Sequence, residues 1–525
     1  MAVAPWDAMN FILYSDVNDR SISQSLGRPE YSYYFVLKAY RPMLESLGRV
    51  HVVSSTAEVD PLYRQLLAAD EDCVFLSFAP PQKTPVDLEC PTVCVVAWEF
   101  DSIPDEQWDD EPRQDWTQVF ARQGRAITLS THTAKAIRQA MGEDFPVLVL
   151  PTPLWETFAG IRERHVSTAV NPGVTLAFKG CIFDSRLLNL HPDNLLPTPE
   201  QLAEIEATRP PALTLRRRFV IARHYLRLWA LDLSRKQVAP VPRVTYLQNW
   251  YWEGIRDLLP DHVHDWLGKR LPTIAGAQSV PVAVQPPPRD MPNTSSLVET
   301  TVDGVVYVAV LNPADGRKNW LQILTAFCWA FRDTPDATLV LKLTQNDLAS
   351  SYAKLMTPLA QLAPFACRVV MLQGYLDEQQ YERLHQATSF YVNASHCEGL
   401  CLPLMEFMAS GKPVIAPDHT AMHDYIDDSV AFVVKSSEEL TTWPQDTRIL
   451  FRTLRHRPDW GSLKSAYENS YRMAKSRPQE YQRMSLAAIE RMHDFCATPA
   501  LQQRLADFFS LESQAGNRAP ITDNA

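Results

Sequence analysis

The sequence has no CxxC pair, no apolar run near the roughly 18 residues a bilayer span requires, and no excess of positive charge. Each absence narrows the reading. Nine cysteines, an odd number, are scattered between Cys73 and Cys496. Cys90/Cys94 and Cys397/Cys401 are each separated by three residues, without a histidine set that would complete a tetrahedral metal site. Zinc modules and disulfide frameworks are therefore disfavoured, and buried free thiols in a reducing compartment are expected. A net charge of −11 at pH 7 argues against a general nucleic-acid binder. The opening MAVAPWDAMNFILYSDV lacks a basic stretch ahead of its short apolar run, so that run reads as a first strand and not as a secretion signal. A cytoplasmic protein is expected. No metal site of the DxD kind is recognised, and metal independence is expected.

What is present is ordinary globular composition, 46% hydrophobic and 21% charged over 525 residues. That length suggests two to four domains at roughly 150 residues each. Residues 1–155 alternate helix-like segments with short, continuous, β-branched runs: FILYS, RVHVVSS, CVFLSF, TVCVVAWEF, AITLS and PVLVLP. Such runs mark parallel strands buried on both faces. Residues 301–435, in a domain drawn at 301–460, repeat the style through GVVYVAVL, ATLVLKL, RVVMLQG, SFYVNAS and PVIAP. Two doubly wound α/β domains are expected, with helices over 461–525 packing back toward the first. Between them, 156–300 differs and is expected to be a largely helical insertion. It holds one strand candidate, VTLAFKG, and ends in the proline-rich SVPVAVQPPPRDMPNTSS, read as a linker.

One stretch carries the chemistry. SHCEGLCLPLMEFMASGKPVIAP keeps two acids, Glu398 and Glu406, in a nearly uncharged segment. SFYVNAS reads as a strand, HCEGLCL as a loop, and PLMEFMAS as a short helix. Pro403 suits its first turn and Gly411 its end. Glu398 thus precedes the helix and Glu406 lies inside it, about two turns in. Gly399 permits close backbone approach. A helix N-terminus offers unpaired N–H groups to phosphate. Acids beside such a site suit hydroxyl donors, so a sugar at each end of a diphosphate, a nucleotide-sugar, fits the pattern.

The run E-G-x6-E followed by A-S-G-x-P-V-I-A resembles family 4 of the retaining GT-B glycosyltransferases (glycosyl transferases group 1). The resemblance extends over 301–435 and, more loosely, over 1–155. It implies a GT-B fold and hexosyl transfer from a UDP- or GDP-linked sugar, with no cofactor, to a glycan or lipid-linked acceptor. Surface polysaccharide or lipopolysaccharide assembly is the pathway by analogy. It implies that Glu398 holds donor-sugar hydroxyls, Glu406 holds the ribose, and the amides of Gly399 and Leu400 face diphosphate or sugar. In VAVLNPADGRKNW a strand ends at Leu311 and Lys318 begins the next helix, at the carboxyl edge where doubly wound folds bind ligands. Lys318 takes the family's diphosphate contact. Asn312 or Pro313 stands near the position of a customary arginine, whose role is either lost or moved to Arg317. Lys342, closing ATLVLK, is a second phosphate candidate, and Tyr375 and Leu376 border the base.

The first domain departs from the pattern. Only Gly27, beside Arg28, stands where relatives carry a glycine pair, and the family's histidine is missing from CVVAWEFDSIPDEQW. Trp98, Glu99 and Asp101 close that strand and are acceptor or cleft candidates. For Glu99 a structural loop role is equally open. His132, at a helix start, is a candidate or a plain capping-region residue. These departures keep a second reading alive, a non-catalytic glycan- or nucleotide-binding protein of the same shape.

Within the insertion, LTLRRRFVIARHYLRLWALDLSRK places Leu215, Phe219, Ala222, Leu226, Trp229 and Leu233 on one helical face. Seven arginines and lysines accompany them against one acid, Asp232. Two readings compete: peripheral contact with the inner face of the cell membrane, or packing of the apolar face on the protein, which is the favoured one.

Overall fold

The computed structural model describes residues 9–18, 22, 31–188, 190–191, 213–234, 243–271, 296–345 and 348–515. Gly27, Arg28 and most of the proline-rich linker lie outside the described residues. The chain divides into two units, residues 1–192 with 287–525, and residues 193–286.

The first domain contains β1 (Asn10–Tyr14), α1 (Tyr31–Glu45), β2 (Arg49–Val52), α2 (Val59–Ala68), β3 (Cys73–Phe78), β4 (Thr92–Val96), α3 (Trp116–Gln123), β5 (Ala126–Thr128), α4 (Thr131–Met141) and β6 (Val147–Val149). All six strands are parallel, in the order β2-β1-β3-β4-β5-β6. β3 is buried at every position, as its unbroken apolar run anticipates. Strand order reverses between β1 and β3, which opens a crevice at the carboxyl edge.

The chain then crosses through α5 (Ala159–Arg164) into β7 (Asn171–Lys179) and β8 (Cys181–Asp184). The unit at 193–286 follows. Its described residues form α6 (Leu215–Ser234), α7 (Arg243–Trp250), a π turn at Tyr251–Ile255, a 3-10 turn at Arg256–Leu258 and α8 (Asp261–Arg270). Largely helical content was expected there.

The second domain contains β9 (Leu297–Leu311), α9 (Trp320–Ala330), β10 (Ala337–Leu343), α10 (Leu348–Leu362), β11 (Arg368–Gln373), α11 (Glu378–Ala387), β12 (Phe390–Val392), α12 (Leu402–Ala409), β13 (Val414–Ala416) and β14 (Ala431–Val433). Its sheet order is β14-β13-β12-β9-β10-β11-β8, and β7 pairs with the first half of β9. β9 to β14 are mutually parallel, and order reverses between β9 and β12. Residues 171–184, read from sequence as part of the insertion, are strands of this sheet. The antiparallel edge strand β8 is locked by Arg368, which donates to Asp184 at 2.6 Å and to the Thr301 carbonyl at 2.6 Å.

An unanticipated hairpin follows, β15 (Ser436–Thr442) and β16 (Phe451–Pro458). Then come the expected tail helices α13 (Trp460–Ser476), α14 (Pro478–Cys496) and α15 (Thr498–Ala515). α15 returns to the first domain: Phe509 lies 6.2 Å from Phe11 and under the Arg125 guanidinium at 4.9 Å. All nine cysteines are buried and none is joined in a disulfide, in keeping with the thiols expected from the sequence. No helix of the described residues is long and apolar enough to cross a membrane.

Candidate functional site

The loops after β9 and β12 leave the second sheet on either side of its switch point. The β9 loop turns tightly because the Asp315 side chain accepts from the Arg317 amide at 3.2 Å, while Asn312 accepts from the Ala314 amide at 3.0 Å. Lys318 therefore closes a 3-10 turn, Gly316–Lys318, and does not begin the helix as expected. Asn319, left-handed at φ +50°, separates it from α9 and ties the turn to the loop after β12 by donating to the Ala394 carbonyl at 3.0 Å.

Glu398 is the centre of the site. It is 3% exposed, yet its carboxylate receives Lys318 Nζ at 2.6 Å, Ser395 Oγ at 2.6 Å, Asn393 Nδ2 at 3.3 Å and Arg317 Nη1 at 3.3 Å. Burial alone would push this acid up; the Lys318 and Arg317 charges outweigh it and hold the carboxyl at about 2. Arg317 also faces Asp315 at 3.0 Å and, from the first domain, Glu99 at 3.4 Å. Burial raises the Glu99 carboxyl, opposed by Arg317. Four sequence candidates, Glu398, Lys318, Arg317 and Glu99, thus meet at one point, joined by Asp315, Asn393 and Ser395, which the motif reading passed over.

Backbone strain collects here. Asn319, Cys401 (φ +66°) and Thr420 (φ +53°) are three of the seven described non-glycine residues with positive φ, and Thr420 is β-branched. Thr420 Oγ1 accepts from the Glu398 amide at 3.1 Å, and Cys401 Sγ receives Asn393 at 3.2 Å. Such conformations persist where the surroundings over-determine them, commonly at binding sites.

α12 begins at Leu402 with proline in its first turn. Glu406 is its fifth residue, so it sits about one turn in and not two. Tyr381 donates to it at 2.6 Å. Burial raises Glu406 to about 7, opposed only by that hydrogen bond. Burial raises the Tyr391 hydroxyl well above its ordinary value, and Glu398 and Glu406 both add to that rise. Among the described residues no hydrogen-bond acceptor takes the amides of Gly399 and Leu400, which lie between them. Gly399 also packs closely on the first domain: a Cβ there would lie 3.1 Å from the Trp98 amide, which would have to give by a few tenths of an ångström.

Other candidates fall elsewhere. Lys342 is buried; its ammonium turns back to the Leu343 carbonyl at 2.9 Å, and burial lowers it to about 7. Tyr375 is 43% exposed and influences Tyr31 of α1, as does Glu406. Leu376 lines an open groove of about 670 Å³ against β7. Trp98 is a core residue, 4.5 Å from Trp116, with its indole donating to Ser102. Asp101 accepts from Thr453 Oγ1 and the Leu454 amide, both at 2.7 Å, and so anchors the hairpin. His132 is second in α4, after the cap at Ser130, with its Nε2 buried and unpartnered. It neighbours Asp101 and His456, and burial lowers its pKa. His419, stacked on His456 at 4.4 Å, extends this histidine group and was missed.

Among the described residues no group of three or more His, Cys, Asp or Glu could hold a metal ion.

Two doubly wound domains with a charged site at the second switch point define a ligand-binding α/β class. Residues 367–442 match the family model described as glycosyl transferases group 1, a segment that spans α11, Glu398 and Glu406. No curated protein matches the chain. Among solved structures, Anabaena Alr3699/HepE in complex with UDP and glucose is similar at 12% identity and TM-score 0.44, over 96% of this chain and 99% of that one. Sucrose-phosphate synthase from Thermosynechococcus elongatus is similar at 11% and 0.43, over 97% and 99%. TarM of S. aureus, with UDP and alpha-GlcNAc-glycerol, is similar at 8% and 0.41, over 83% and 55%.

Proposed function

We propose that the protein transfers a hexosyl group from a nucleoside diphosphate sugar to a hydroxyl of a glycan or lipid-linked saccharide, with retention at the anomeric carbon and without a metal. Assembly of a surface polysaccharide or lipopolysaccharide is the setting this reading favours. The observation that carries it is the juxtaposition of Lys318 and Glu398 at 2.6 Å beside the open amides of Gly399 and Leu400, with Glu406 a turn along α12. Glu398 offers acceptors to sugar hydroxyls and Glu406 to ribose hydroxyls. The amides and Lys318 receive the diphosphate between them.

In the reaction the bond from the anomeric carbon to the diphosphate oxygen breaks, and its electron pair leaves with the diphosphate. The acceptor oxygen forms the new bond to the same face, and its proton passes to the departing phosphate. Lys318, Arg317 and the α12 amides stabilise the charge that develops on the leaving group. In the ligand-free protein Glu398 neutralises Lys318. A diphosphate arriving there takes over the ammonium, and the freed carboxylate turns to the sugar. Glu99, facing the same arginine from the first domain, stands where donor or acceptor hydroxyls would reach it. The closeness of Trp98 to Gly399 means that the domains part for the donor to bind and close to exclude water.

One observation favours the second reading, a binding protein without turnover. Arg317 is held by three acids, Asp315, Glu99 and Glu398, which oppose an incoming diphosphate. Incubation with UDP- and GDP-hexoses separates the two. Nucleotide release that Glu406→Ala and Lys318→Met each slow about tenfold or more supports transfer. Thermal stabilisation by nucleotide without release supports binding alone.

A further inference from the structure

The inserted helix α6 was expected to bury its apolar stripe, and it does not. Leu215 is 83% exposed, Phe219 71%, Leu226 61% and Trp229 38%. Another face does the packing. Arg218, Ile221 and Tyr225, spaced by three and four, turn toward α7 and the turns that follow it. Arg218 forks onto Asp257 at 2.5 and 2.6 Å and donates to the Gly254 carbonyl at 2.6 Å. Ile221 lies against Gly254, and Tyr225 is hydrogen-bonded to Glu253. The helix thus has two stripes: one seated within its unit, one bare.

The border of the bare stripe is cationic. Arg216, Arg223 and Arg227 each follow a stripe residue by one position, about 100° round the helix, and all three are exposed. Among the described residues none of them has an ion-pair partner. The charge is local, because the chain as a whole carries −11.

We propose that the exposed face of α6 docks on an anionic phospholipid surface. The helix lies in the plane of the interface, with Leu215, Phe219, Leu226 and Trp229 among the acyl chains and the arginines at the headgroup phosphates. Charge complementarity selects the occupant, and the apolar stripe selects a bilayer over a soluble polyanion, which would leave Phe219 and Leu226 in water. The face sits within its own unit and owes nothing to the transferase reading.

The test is co-sedimentation of the full chain with phosphatidylcholine vesicles, with and without phosphatidylserine, at low and high salt. The wild type pellets with phosphatidylserine vesicles at low salt and is released by salt. Replacing Arg216, Arg223 and Arg227 together by serine weakens partitioning roughly a hundredfold, at about 1 kcal/mol per arginine near an anionic surface. Phe219→Ser with Leu226→Ser weakens it at least about tenfold, from the loss of buried apolar side chains. Unchanged circular dichroism in these surface variants keeps the comparison valid. Absence of wild-type binding at low salt overturns the proposal. So does binding indifferent to Phe219 and Leu226, which assigns the face to an acidic macromolecule. Nucleotide release, measured on the same variants without vesicles, stays at the wild-type rate, so failure here and failure of the transferase reading are read separately.

Discussion

Lys318→Met removes the closest cation to a carboxylate that is 3% exposed. Glu398 sits at about 2 against an ordinary 4.5, although burial pushes the other way. That gap corresponds to roughly 3 kcal/mol of preference for the charged form. Its sign is that of a depressed acid: the stabilisation is complete above pH 4.5 and is lost as pH falls toward 2. Without Lys318 the carboxylate keeps Arg317, which Glu99 and Asp315 also claim. Breaking a buried pair on one side costs about 3–5 kcal/mol, so denaturant stability drops by that order and the acid transition moves upward in pH. Catalysis suffers separately. A hydrogen bond to a charged group is worth about 1.5–3 kcal/mol, so nucleotide release at saturating donor slows about tenfold to a few hundredfold. The double variant Lys318→Met with Glu398→Gln separates the effects, because amide for carboxylate removes the orphan charge. Stability then recovers while the rate does not. A single variant that turns over at the wild-type rate refutes the diphosphate role of Lys318. A double variant that regains both shows that the pair is structural.

Glu406, raised to about 7 by burial, makes the free protein lose stability as pH climbs from 4.5 through 7, while affinity for a ribose-bearing ligand rises over the same window. Nucleotide-induced thermal shifts on either side of pH 7 should show this slope, and Glu406→Gln should abolish it. Trp443, 1% exposed and stacked on Trp108 at 6.1 Å, joins the hairpin region to the first domain; Trp443→Ala should cost about 3–5 kcal/mol in chemical denaturation. With all nine thiols buried, the native protein should react with a thiol reagent only after denaturant is added. Nucleotide release should be unchanged by a chelator; restoration of lost activity by magnesium or manganese would contradict the metal-free mechanism.

What was legible in the sequence was local. Continuous apolar runs such as CVFLSF and RVVMLQ are buried strands because both faces are covered, and their shortness and β-branched residues reveal that. Glu398, Gly399, Pro403 and Glu406 lie within one loop and one helix, so their spacing fixes their geometry. Two misreadings, Asp101 and Lys342, come from surroundings that the local sequence does not show. Asp101 looked like a cleft acid because it closes a strand beside Glu99. It is taken by Thr453 and Leu454, in a hairpin whose polar strands SSEELTT and FRTLRHRP carry little apolar periodicity. Lys342 shares the strand-end position that favours ligand contact, but its environment is apolar, and only the tertiary structure shows that its ammonium turns inward.

The hairpin links fold to mechanism in a way no motif announces. Besides Asp101, it engages Ser102 through Thr453 and Arg452, and Glu106 through Arg452 at 2.7 Å; the turn between its strands adds Arg448 to Glu106 at 2.7 Å and Thr447 to Asp109 at 2.9 Å. Across the cleft, Asp424 also takes the Thr131 amide at the start of α4 at 2.8 Å. Every one of these contacts joins the second domain to the first near Trp98, the point where Gly399 comes closest. If the donor binds as proposed, it reaches Lys318 and the α12 amides only once that grip yields, so opening should limit the rate of donor association. Glu106→Gln weakens the rim without touching the site. It should therefore speed donor association in stopped-flow and leave single-turnover transfer unchanged; an unchanged association rate would mean that the cleft opens by a route that leaves the hairpin in place.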